Sequence, residues 1–319
     1  MKAIVQNGYG SPDVLKLAEV AQPLVKDNEV LVRVKAVSIN VGDVFTMRGD
    51  PWLTRLMVGF PKPKKNYIVG WDVAGVVERI GRHVTQFRSG DEVFASCNGA
   101  LAEYVSVAEE KLAFKPANLS FEQAAAVPTG GITALQGLRD AGKLQPGQRV
   151  LINGASGGVG TFAVQIGKVL EAEVTGVCST RNAELVRSLG ADHVVDYTHT
   201  DFTQNGRRYD LILDNVANHS FSDLMRVLTP QGRIIPNSGH GGMGYVFKAF
   251  LLSPFLRQLG SMYLTAPNGK DLTILKEWIE AGKVKVIVDR AYPFESTPDA
   301  FRSLETEHPR GKVVITVAA

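Results

Sequence analysis

A glycine-rich turn between an apolar run and an amphipathic segment constrains this 319-residue chain more than any other feature. The run Arg149 to Asn153 is short and apolar, the turn Gly154 to Gly160 consists of small residues, and Thr161 to Leu170 repeats apolar positions at a helical period. The three segments predict strand, tight turn and helix, the start of a dinucleotide-binding fold. Bare backbone in such a turn can approach a pyrophosphate, whose charge is stabilised by N–H groups and the helix dipole.

The first glycine of the usual G-x-G-x-x-G pattern is here Ala155, with Gly154 just before it. An ordinary strand-to-helix turn is therefore the alternative for this motif taken alone. The residues predicted to hold the pyrophosphate are Ala155, Ser156, Gly157, Gly158, Val159 and Gly160.

The cofactor is predicted from the end of a second strand, Glu173 to Val177, which lies about twenty residues beyond the turn, where such folds meet the adenosine ribose. An NAD-preferring protein would carry Asp or Glu here. This chain has Ser179, Thr180 and Arg181, and its next carboxylate is Glu184. A hydroxyl and a guanidinium suit a 2′-phosphate, so the sequence predicts NADP(H). The alternative is that Arg181 is a solvated residue at a helix start.

The composition is 45% hydrophobic with a net charge of +3, and the length is sufficient for two domains. The small net charge predicts no nucleic-acid partner. The N-terminal residues run directly into a strand pattern and no uncharged apolar run reaches about eighteen residues, so we expect a cytoplasmic location and no membrane insertion. Neither Cys97 nor Cys178 has a C-x-x-C partner, which predicts neither a disulfide nor a thiolate zinc site.

The first part of the chain is predicted as a β-rich, partly closed domain. Its predicted strands are Lys2 to Gln6, Val14 to Glu19, Glu29 to Ser38, Ala74 to Ile80, Glu92 to Ala95 and Ala102 to Val107. Ser120 to Gln123 has a modified capping-box spacing and marks the start of a helix. The fold class is thus α/β, because strands and helices alternate from there on and predict a doubly wound parallel sheet.

Further elements are predicted in the remainder of the chain. Strands are predicted at His193 to Asp196, Asp210 to Asp214, Gly232 to Asn237 and Lys312 to Val317, and helices at Thr129 to Asp140, Ala183 to Leu189, Ser220 to Leu228, Asp271 to Ala281 and Thr297 to Glu305. Gly282 is the predicted stop of the fourth of these helices.

An ordered set of short phrases carries a family resemblance. The phrases are Val69 to Val77, Gly90 to Phe94, Ala102 to Val105, Ala124 to Pro128, Gly154 to Gly160, Leu189 to Asp192 and Gly311 to Val314. The chain resembles the medium-chain dehydrogenase/reductase superfamily, specifically its zinc-free quinone oxidoreductase branch. The resemblance implies a GroES-like catalytic domain formed by residues 1–122 and 264–319, a Rossmann NADP-binding domain at residues 123–263, and an active site in the cleft between them.

The resemblance also locates the positions at which zinc-dependent relatives bind their catalytic metal. Those relatives have a Cys near Asn40, a His-Glu pair after Gly70, and a Cys or Asp around residues 129–131. This chain has Asn40, then Trp71 and Asp72, and no ligand at the third place. Zinc needs about three N, S or O ligands, and the six histidines show no metal-ligand spacing, so no metal is predicted.

Without a metal, a nicotinamide can still deliver hydride to a quinone or to the β-carbon of an enone. The favoured function is therefore an NADPH-dependent reductase of a small apolar carbonyl or quinone substrate. A metal-free alcohol or aldehyde dehydrogenase of the same fold is one alternative. A catalytically silent NADPH-binding protein is the other.

The candidate catalytic residues are Asn40, Tyr67 and Thr129, of which Asn40 and Thr129 are also candidate cofactor contacts. The Asn40 amide either touches the nicotinamide ribose or the substrate oxygen, or closes its own loop with a hydrogen bond. Asp43 is interpreted as structural. The predicted cofactor-binding residues also include Tyr197, Asn215, Ser238, Arg310 and Lys312. The resemblance implies that Arg310 or Lys312 meets a cofactor phosphate or ribose, with surface charge as the alternative.

Two apolar segments, Trp52 to Phe60 and Tyr245 to Leu252, are candidates for lining the substrate pocket, with packed core or subunit contact as the alternative. The strand Gly232 to Asn237 is placed near the sheet edge and is followed by the apolar run Tyr245 to Leu256. An unpaired edge beside apolar surface favours a covering partner, and we expect a homodimer through this region. The alternative is that a loop of the same chain covers the edge.

Overall fold

The computed structural model describes residues 1–237, 258–259 and 265–317. The chain divides into two compact units. The first unit comprises Met1–Thr129, Ala266–Gly282 and Val286–Ala319, and the second comprises Gly130–Thr265 and Lys283–Lys285. The domain boundaries after residues 122 and 263 stay a prediction. Ser238 and the run Tyr245 to Leu256 lie outside the described residues, so their predicted roles stay predictions too.

The first unit is mainly β-structure. Its strands are β1 Lys2–Gln6, β2 Leu15–Glu19, β3 Glu29–Ile39, β4 Tyr67–Ile68, β5 Asp72–Ile80, β6 Glu92–Ser96, β7 Tyr104–Ala108, β8 Leu112–Phe114, β14 Val288–Pro293 and β15 Lys312–Thr316. Its helices are α1 Val41–Arg48, α2 Thr54–Val58, α3 Phe121–Ala125, α8 Gly269–Glu280 and α9 Thr297–Thr306. The predicted strands of this unit are all present, β1 residue for residue.

The main sheet of the first unit has the strand order β14-β15-β3-β5-β6-β8, with β7 also paired to β3. Strand β3 lies in the interior of this sheet, between β15 and β5. Its residues Val30, Val32, Val34 and Ala36 are all buried, as their alternation predicts. The antiparallel register pairs Val313 of β15 with Ile39 of β3. The start of β15 is thereby brought to the end of β3, which is where the polar cluster described below forms.

The second unit is a parallel α/β sheet. Its strands are β9 Arg149–Asn153, β10 Glu173–Cys178, β11 His193–Asp196, β12 Tyr209–Asp214 and β13 Leu228–Pro236. Its helices are α4 Pro128–Gln136, which begins at the end of the first unit and continues as a π-helical turn over Gly137–Ala141, α5 Gly160–Val169, α6 Ala183–Ser188 and α7 Phe221–Arg226. The strand order β11-β10-β9-β12-β13 reverses direction next to β9, as a doubly wound sheet requires. The predicted α/β fold class is confirmed.

Two local predictions, the helix start at Ser120 and the helix stop at Gly282, are confirmed by hydrogen bonds and a backbone angle. The Ser120 hydroxyl accepts from the Gln123 N–H at 3.3 Å while the Gln123 side chain accepts from the Ser120 N–H at 3.1 Å, a complete capping box. Gly282 follows α8 with a φ of 71°, the left-handed stop that was predicted. Cys97 and Cys178 are both free thiols. Across the described ranges, no helix is long and apolar enough to cross a membrane.

The outer side of β13 is paired where the sequence predicts a bare edge. The Ile234 N–H donates to the Gln258 carbonyl at 2.7 Å, and Ile234 forms a parallel bridge with Leu259. The expectation of an unpaired edge is therefore wrong at Ile234, because the same chain returns and satisfies its hydrogen bond. Ile234 is also fully buried, so it does not lie on a surface that a partner could contact.

The sequence reasoning missed α1, α2, β4, β8 and β14. Each is at most eight residues long: α1 has eight residues and α2 has five. Elements this short carry too few periods to stand out from a loop. Two of them, α1 and β4, hold residues of the candidate site.

Candidate active site

The glycine turn between β9 and α5 is built around two glycines that a side chain would disrupt. Gly154 has a φ of 78°, which L-residues rarely adopt. A Cβ on Gly160 would lie 2.0 Å from the Gly154 carbonyl oxygen and 2.7 Å from the Ala155 Cα, so only glycine allows this close approach. Gly157 differs, since a Cβ there would find its nearest neighbour at 3.6 Å. The turn is thus closely packed at its base and open at Gly157, which fits a cradle for a pyrophosphate.

The predicted ribose-contacting residues lie next to this turn in the second unit. Asn182 donates to the Ser156 hydroxyl at 3.0 Å and to the Ser179 hydroxyl at 3.4 Å, and so links the glycine turn to the end of β10. Asn182 is buried, and sequence reasoning missed it. Its only signal was an amide side chain at a helix start. Arg181 is exposed beside it.

A carboxylate does stand at the ribose end, although the sequence around Ser179 offers none before Glu184. Parallel pairing sets Asp196, the last residue of β11, opposite Cys178. The Thr180 hydroxyl donates to Asp196 at 2.5 Å, and Thr198 donates to it through its hydroxyl at 2.7 Å and its N–H at 3.0 Å. The Thr180 hydrogen bond is the largest cause that lowers the pKa of Asp196 to about 2. Strand register thus brings a carboxylate to the end of β10 from a residue that is distant in the sequence, and local sequence reasoning did not detect it.

The other predicted cofactor contacts of the second unit follow the carboxyl ends of its strands. Asn215 donates to the Asn153 carbonyl at 3.0 Å and accepts from Asn237 at 2.6 Å, so amides from the ends of β9, β12 and β13 are linked. Tyr197 is 59% exposed, and its N–H donates to the Cys178 carbonyl at 3.1 Å. Ligands of doubly wound sheets bind at this edge, where the strand order reverses.

In the first unit, the structure brings three predicted residues together around one buried carboxylate, Asp72. The Asp72 carboxylate accepts from the Thr129 hydroxyl at 2.6 Å and from the Thr129 N–H at 3.0 Å. Its other oxygen accepts from the Asn40 amide at 3.1 Å and from the Lys312 ammonium at 3.4 Å. Lys312 also donates to the Asn40 carbonyl oxygen. We call Asn40, Asp72, Thr129 and Lys312 the polar cluster.

Sheet register explains why these four residues meet. Asp72 begins β5 and pairs with Ser38 near the end of β3 and with Ser96 at the end of β6. Asn40 directly follows β3, and Lys312 begins the neighbouring strand β15. Asp72 and Lys312 are 0% and 3% exposed, so the alternative of surface charge is wrong for Lys312. Arg310, two residues earlier, is exposed.

The Asn40 amide and the Thr129 hydroxyl donate their hydrogens to neighbouring carboxylates. The Thr129 hydroxyl hydrogen goes to Asp72, and the Ser96 hydroxyl lies 3.3 Å from the same Thr129 oxygen. The Asn40 amide donates to Asp72 at 3.1 Å and to Asp43 at 3.4 Å. The loop-closing alternative for Asn40 therefore describes the observed contacts, and its predicted contact with a nicotinamide or substrate stays a prediction.

Tyr67 differs from the other two predicted catalytic residues. It is half-buried on β4, and no hydrogen bond from its hydroxyl is found among the described residues. Burial, followed by the charges of Asp43 and Tyr9, raises the pKa of Tyr67. A phenol with a raised pKa keeps its proton at neutral pH and so remains a hydrogen-bond donor.

Asp43 is buried beside the polar cluster, where its carboxylate accepts from the Asn40 N–H at 2.8 Å. Burial is the largest cause that raises its pKa, from 3.8 to about 7; the Asn40 hydrogen bonds and Lys312 act in the opposite direction. One of its oxygens, Oδ1, is buried without a hydrogen-bond partner in the described structure. The interpretation of Asp43 as a structural residue agrees with these contacts.

This raised pKa predicts a pH-dependent stability. Between about pH 4 and pH 7 the folded chain keeps a proton on Asp43 that the unfolded chain has lost, so stability falls as pH rises through this window. The loss is about 1.4 kcal/mol per pH unit and is complete above the folded pKa. We expect Asp43→Asn to gain stability relative to the wild type across this window in urea unfolding. An unchanged difference between them would contradict the assignment; the exposed carboxylate variant Glu110→Gln is the matched control.

The segment Trp52 to Phe60 is not packed core, contrary to one of its two interpretations. Trp52, Leu56 and Phe60 are 58%, 66% and 71% exposed, whereas Val58 is buried. Large apolar side chains that are exposed to water lack the packing contacts of core residues. Pocket lining stays a prediction for this segment.

The described ranges hold no group of three or more His, Cys, Asp or Glu side chains placed to bind a metal ion. At the positions implied for zinc ligands, Asp72 and Asn40 are instead bound to the Lys312 ammonium. The donor set contains one carboxylate, one amide and one hydroxyl, which does not fit a tetrahedral zinc site of His and Cys.

The chain matches two family models. The alcohol dehydrogenase GroES-like domain model matches residues 26–117, and the zinc-binding dehydrogenase model matches residues 189–315. The NADPH-dependent alkenal/one oxidoreductase of Arabidopsis thaliana, a chloroplastic protein, is 34% identical over 330 residues, which cover 99% of this chain and 79% of that protein. The 2-methylene-furan-3-one reductase of Solanum lycopersicum is 35% identical over 331 residues, with 99% and 79% coverage.

Two solved structures show the same fold over the whole chain. The quinone oxidoreductase of Coxiella burnetii superposes with a TM-score of 0.87 at 29% identity, covering 100% of this chain and 99% of that one. The Escherichia coli quinone oxidoreductase complexed with NADPH gives a TM-score of 0.81 at 26% identity, covering 99% and 100%. Sequence motifs, both family models and whole-length relatives agree, and the chain therefore belongs to the quinone oxidoreductase-like branch of the medium-chain dehydrogenase/reductase superfamily.

Proposed function

We propose that this protein is an NADPH-dependent oxidoreductase that transfers hydride to a quinone or an α,β-unsaturated carbonyl without a metal. The observation that carries the proposal is the glycine turn, tightly closed at Gly160 and open at Gly157. Relatives over the full chain are named for alkenal/one and quinone reduction, which supports the substrate class. NADPH, when bound, supplies the hydride.

The chain's own residues would hold the cofactor in the second unit. The turn Ala155 to Gly160 offers backbone N–H groups to the pyrophosphate. The ribose edge offers the Ser179 hydroxyl and the exposed Arg181 guanidinium to a 2′-phosphate. Asp196 stands nearby, but both of its oxygens already accept hydrogen bonds from Thr180 and Thr198, which leaves it less able to bind a ribose hydroxyl.

In the first unit we assign the substrate-facing donor to Tyr67. The Thr129 hydroxyl donates its hydrogen to Asp72, and the Asn40 amide donates to Asp72 and Asp43. The Tyr67 hydroxyl, in contrast, donates to no other group among the described residues. Negative charge develops on the carbonyl or quinone oxygen as hydride arrives, and a positioned phenol O–H stabilises it. The polar cluster, which includes the Lys312 charge, would then act as a rigid support.

The donor set of the polar cluster, and not the fold alone, supports the proposal of metal-free catalysis. Lys312 supplies a fixed positive charge at the place where zinc-dependent relatives are implied to hold their metal. The experiment is a cofactor-oxidation assay over quinones, enones and aldehydes, with and without a chelator. We expect quinone or enone reduction that survives chelation. Activity on aldehydes alone, or activity lost to a chelator and restored by zinc, would reject the proposal.

Arg181→Ala tests the cofactor preference. A charge-assisted hydrogen bond to a phosphate contributes on the order of 1.5–3 kcal/mol, so we expect at least a tenfold loss in NADPH affinity. NADH lacks the 2′-phosphate, and its affinity should not change; it therefore serves as the internal control. Fluorescence titration with both cofactors measures the difference, and equal wild-type affinity for NADH and NADPH would contradict the assignment.

The homodimer and the cytoplasmic location also remain proposals. The homodimer now rests on the family resemblance, since β13 is paired at Ile234 by the same chain. Light scattering decides it: a mass near the 34.5 kDa of one chain would reject the dimer. Cell fractionation decides the location, because a relative named above is chloroplastic.

A further inference from the structure

Three lysines in a basic stretch of the first unit have no role in the function proposed above. From Pro51 to Trp71 the chain contains four basic residues and no acidic one. Three of the four form the lysine cluster, which we define as Lys62, Lys64 and Lys65; all three are exposed. No ion pair of the described residues involves them, so their charges face solvent. Such a cluster attracts anionic surfaces.

Exposed apolar side chains precede the lysine cluster in the same segment. Trp52, Leu53, Leu56 and Phe60, which we call the apolar group, are 58%, 42%, 66% and 71% exposed. They make up four of the nine exposed large apolar side chains in the described residues, yet fall within nine positions of the sequence. Single exposed apolar residues are normal on protein surfaces, but a concentration of this kind marks an interaction site.

One hydrogen bond and two buried side chains hold the segment to the body of the unit, and a second hydrogen bond lies within the segment. The Lys64 N–H donates to the Val58 carbonyl at 3.1 Å, and the Tyr9 hydroxyl donates to the Gly59 carbonyl at 2.5 Å. Val58 and Pro63 are buried and serve as anchors. Arg55 differs from the lysines, because it donates to the Gly49 carbonyl at 2.9 Å and lies over the Tyr9 ring.

We propose that residues 52–65 dock this protein on the surface of an anionic lipid bilayer. Tryptophan and phenylalanine enter the headgroup region, leucines reach the acyl boundary, and unpaired lysines bind lipid phosphates. Charge complementarity favours this partner, since the segment from Pro51 to Trp71 carries only positive charge. Nucleic acid is disfavoured by the exposed leucines. Docking at a surface requires no membrane-spanning helix, and a bilayer also dissolves apolar substrates of the proposed class.

Vesicle flotation with the full chain tests the proposal. We expect binding to vesicles of equal parts phosphatidylcholine and phosphatidylglycerol, weakened by salt, and little binding to phosphatidylcholine alone. The triple variant Lys62→Glu, Lys64→Glu, Lys65→Glu should bind at least about a hundredfold more weakly, because each lysine near such a surface is worth about fivefold. Trp52→Ser with Phe60→Ser should cost about tenfold or more.

A matched variant separates a local effect from net charge. Lys270→Glu, Lys283→Glu, Lys285→Glu makes the same charge change at three exposed lysines elsewhere in the chain, and we expect it to bind vesicles as the wild type does. The lysine-cluster variant should keep its thermal stability and its activity on a water-soluble quinone, which shows that it is folded. Equal losses in both triple variants would overturn the proposal, as would wild-type binding that ignores lipid charge.

A spectroscopic signal reports on the segment directly. Trp52 is the most exposed of the three tryptophans, so insertion at the headgroup level should shift the emission of the wild type to the blue. Trp52→Phe should lose that shift while still floating with anionic vesicles. Sedimentation without lipid tests the other occupant, a second copy of this chain. If Trp52→Ser with Phe60→Ser turns a dimer into a monomer and vesicles do not bind the wild type, the proposal is wrong.

Discussion

Lys312→Met is expected to be among the most destabilising single substitutions in this protein. It removes the ammonium group from a pair in which Lys312 is 3% exposed and Asp72 is fully buried. The Asp72 carboxylate would keep its hydrogen bonds from Thr129 and Asn40 but lose its only cationic partner in the described structure. Leaving one charge of a buried pair uncompensated costs about 3–5 kcal/mol of unfolding free energy.

Urea unfolding measures this loss, and a second variant identifies its cause. Asp72→Asn together with Lys312→Met removes both charges, so the double variant should recover at least about 1 kcal/mol relative to Lys312→Met. If Lys312→Met unfolds too readily to be purified, recovery of soluble folded protein by the double variant supplies the same comparison. A single variant as stable as the wild type, or no recovery in the double variant, would contradict the pairing.

Two alanine substitutions in the glycine turn should have different effects, one on stability and the other on NADPH binding. In Gly160→Ala the new methyl group would lie 2.0 Å from a backbone oxygen, so the backbone must move, and we expect a loss of about 1–3 kcal/mol in stability. In Gly157→Ala the nearest atom is 3.6 Å away, so stability should not change. The added methyl would instead occupy the open side of the turn and weaken NADPH binding about tenfold or more, because backbone contacts to phosphate are lost.

The pair of variants is its own control, since the same methyl group is added three residues apart. Thermal unfolding without cofactor and NADPH titration measure the two effects separately. A Gly157→Ala protein that binds NADPH as tightly as the wild type would move the pyrophosphate away from this turn. A Gly160→Ala protein of unchanged stability would show that the turn is looser than the structure describes.

Most of the fold was predictable from local pattern. Strand β9, the turn to Gly160 and helix α5 were predicted because apolar periodicity and small residues act within one short segment. Strands β1 and β11 were predicted residue for residue for the same reason. Helix α1 and strand β4 were missed, because their few residues leave no period to detect.

The membership of the site was only partly predictable. Asn40, Thr129 and Lys312 were predicted one at a time, with the help of a family resemblance. Nothing in their spacing indicated that all three would bind Asp72. From the sequence, Asp72 was noted only because it occupies a position at which zinc-dependent relatives are implied to bind their metal. Asp43 was interpreted as structural, but its raised pKa follows from burial that a single sequence does not report.

What the sequence determined by itself is the set of interactions between near neighbours: the strand, turn and helix of the predicted phosphate cradle, the capping box at Ser120, and the side chains at the predicted ribose edge. Only the tertiary structure decided which distant residues meet. The pairing of β15 with β3 set Lys312 beside Asn40, and the pairing of β10 with β11 set Asp196 beside Thr180. Strand register fixes such contacts, and register is chosen by packing of the whole sheet, which no local window of sequence contains.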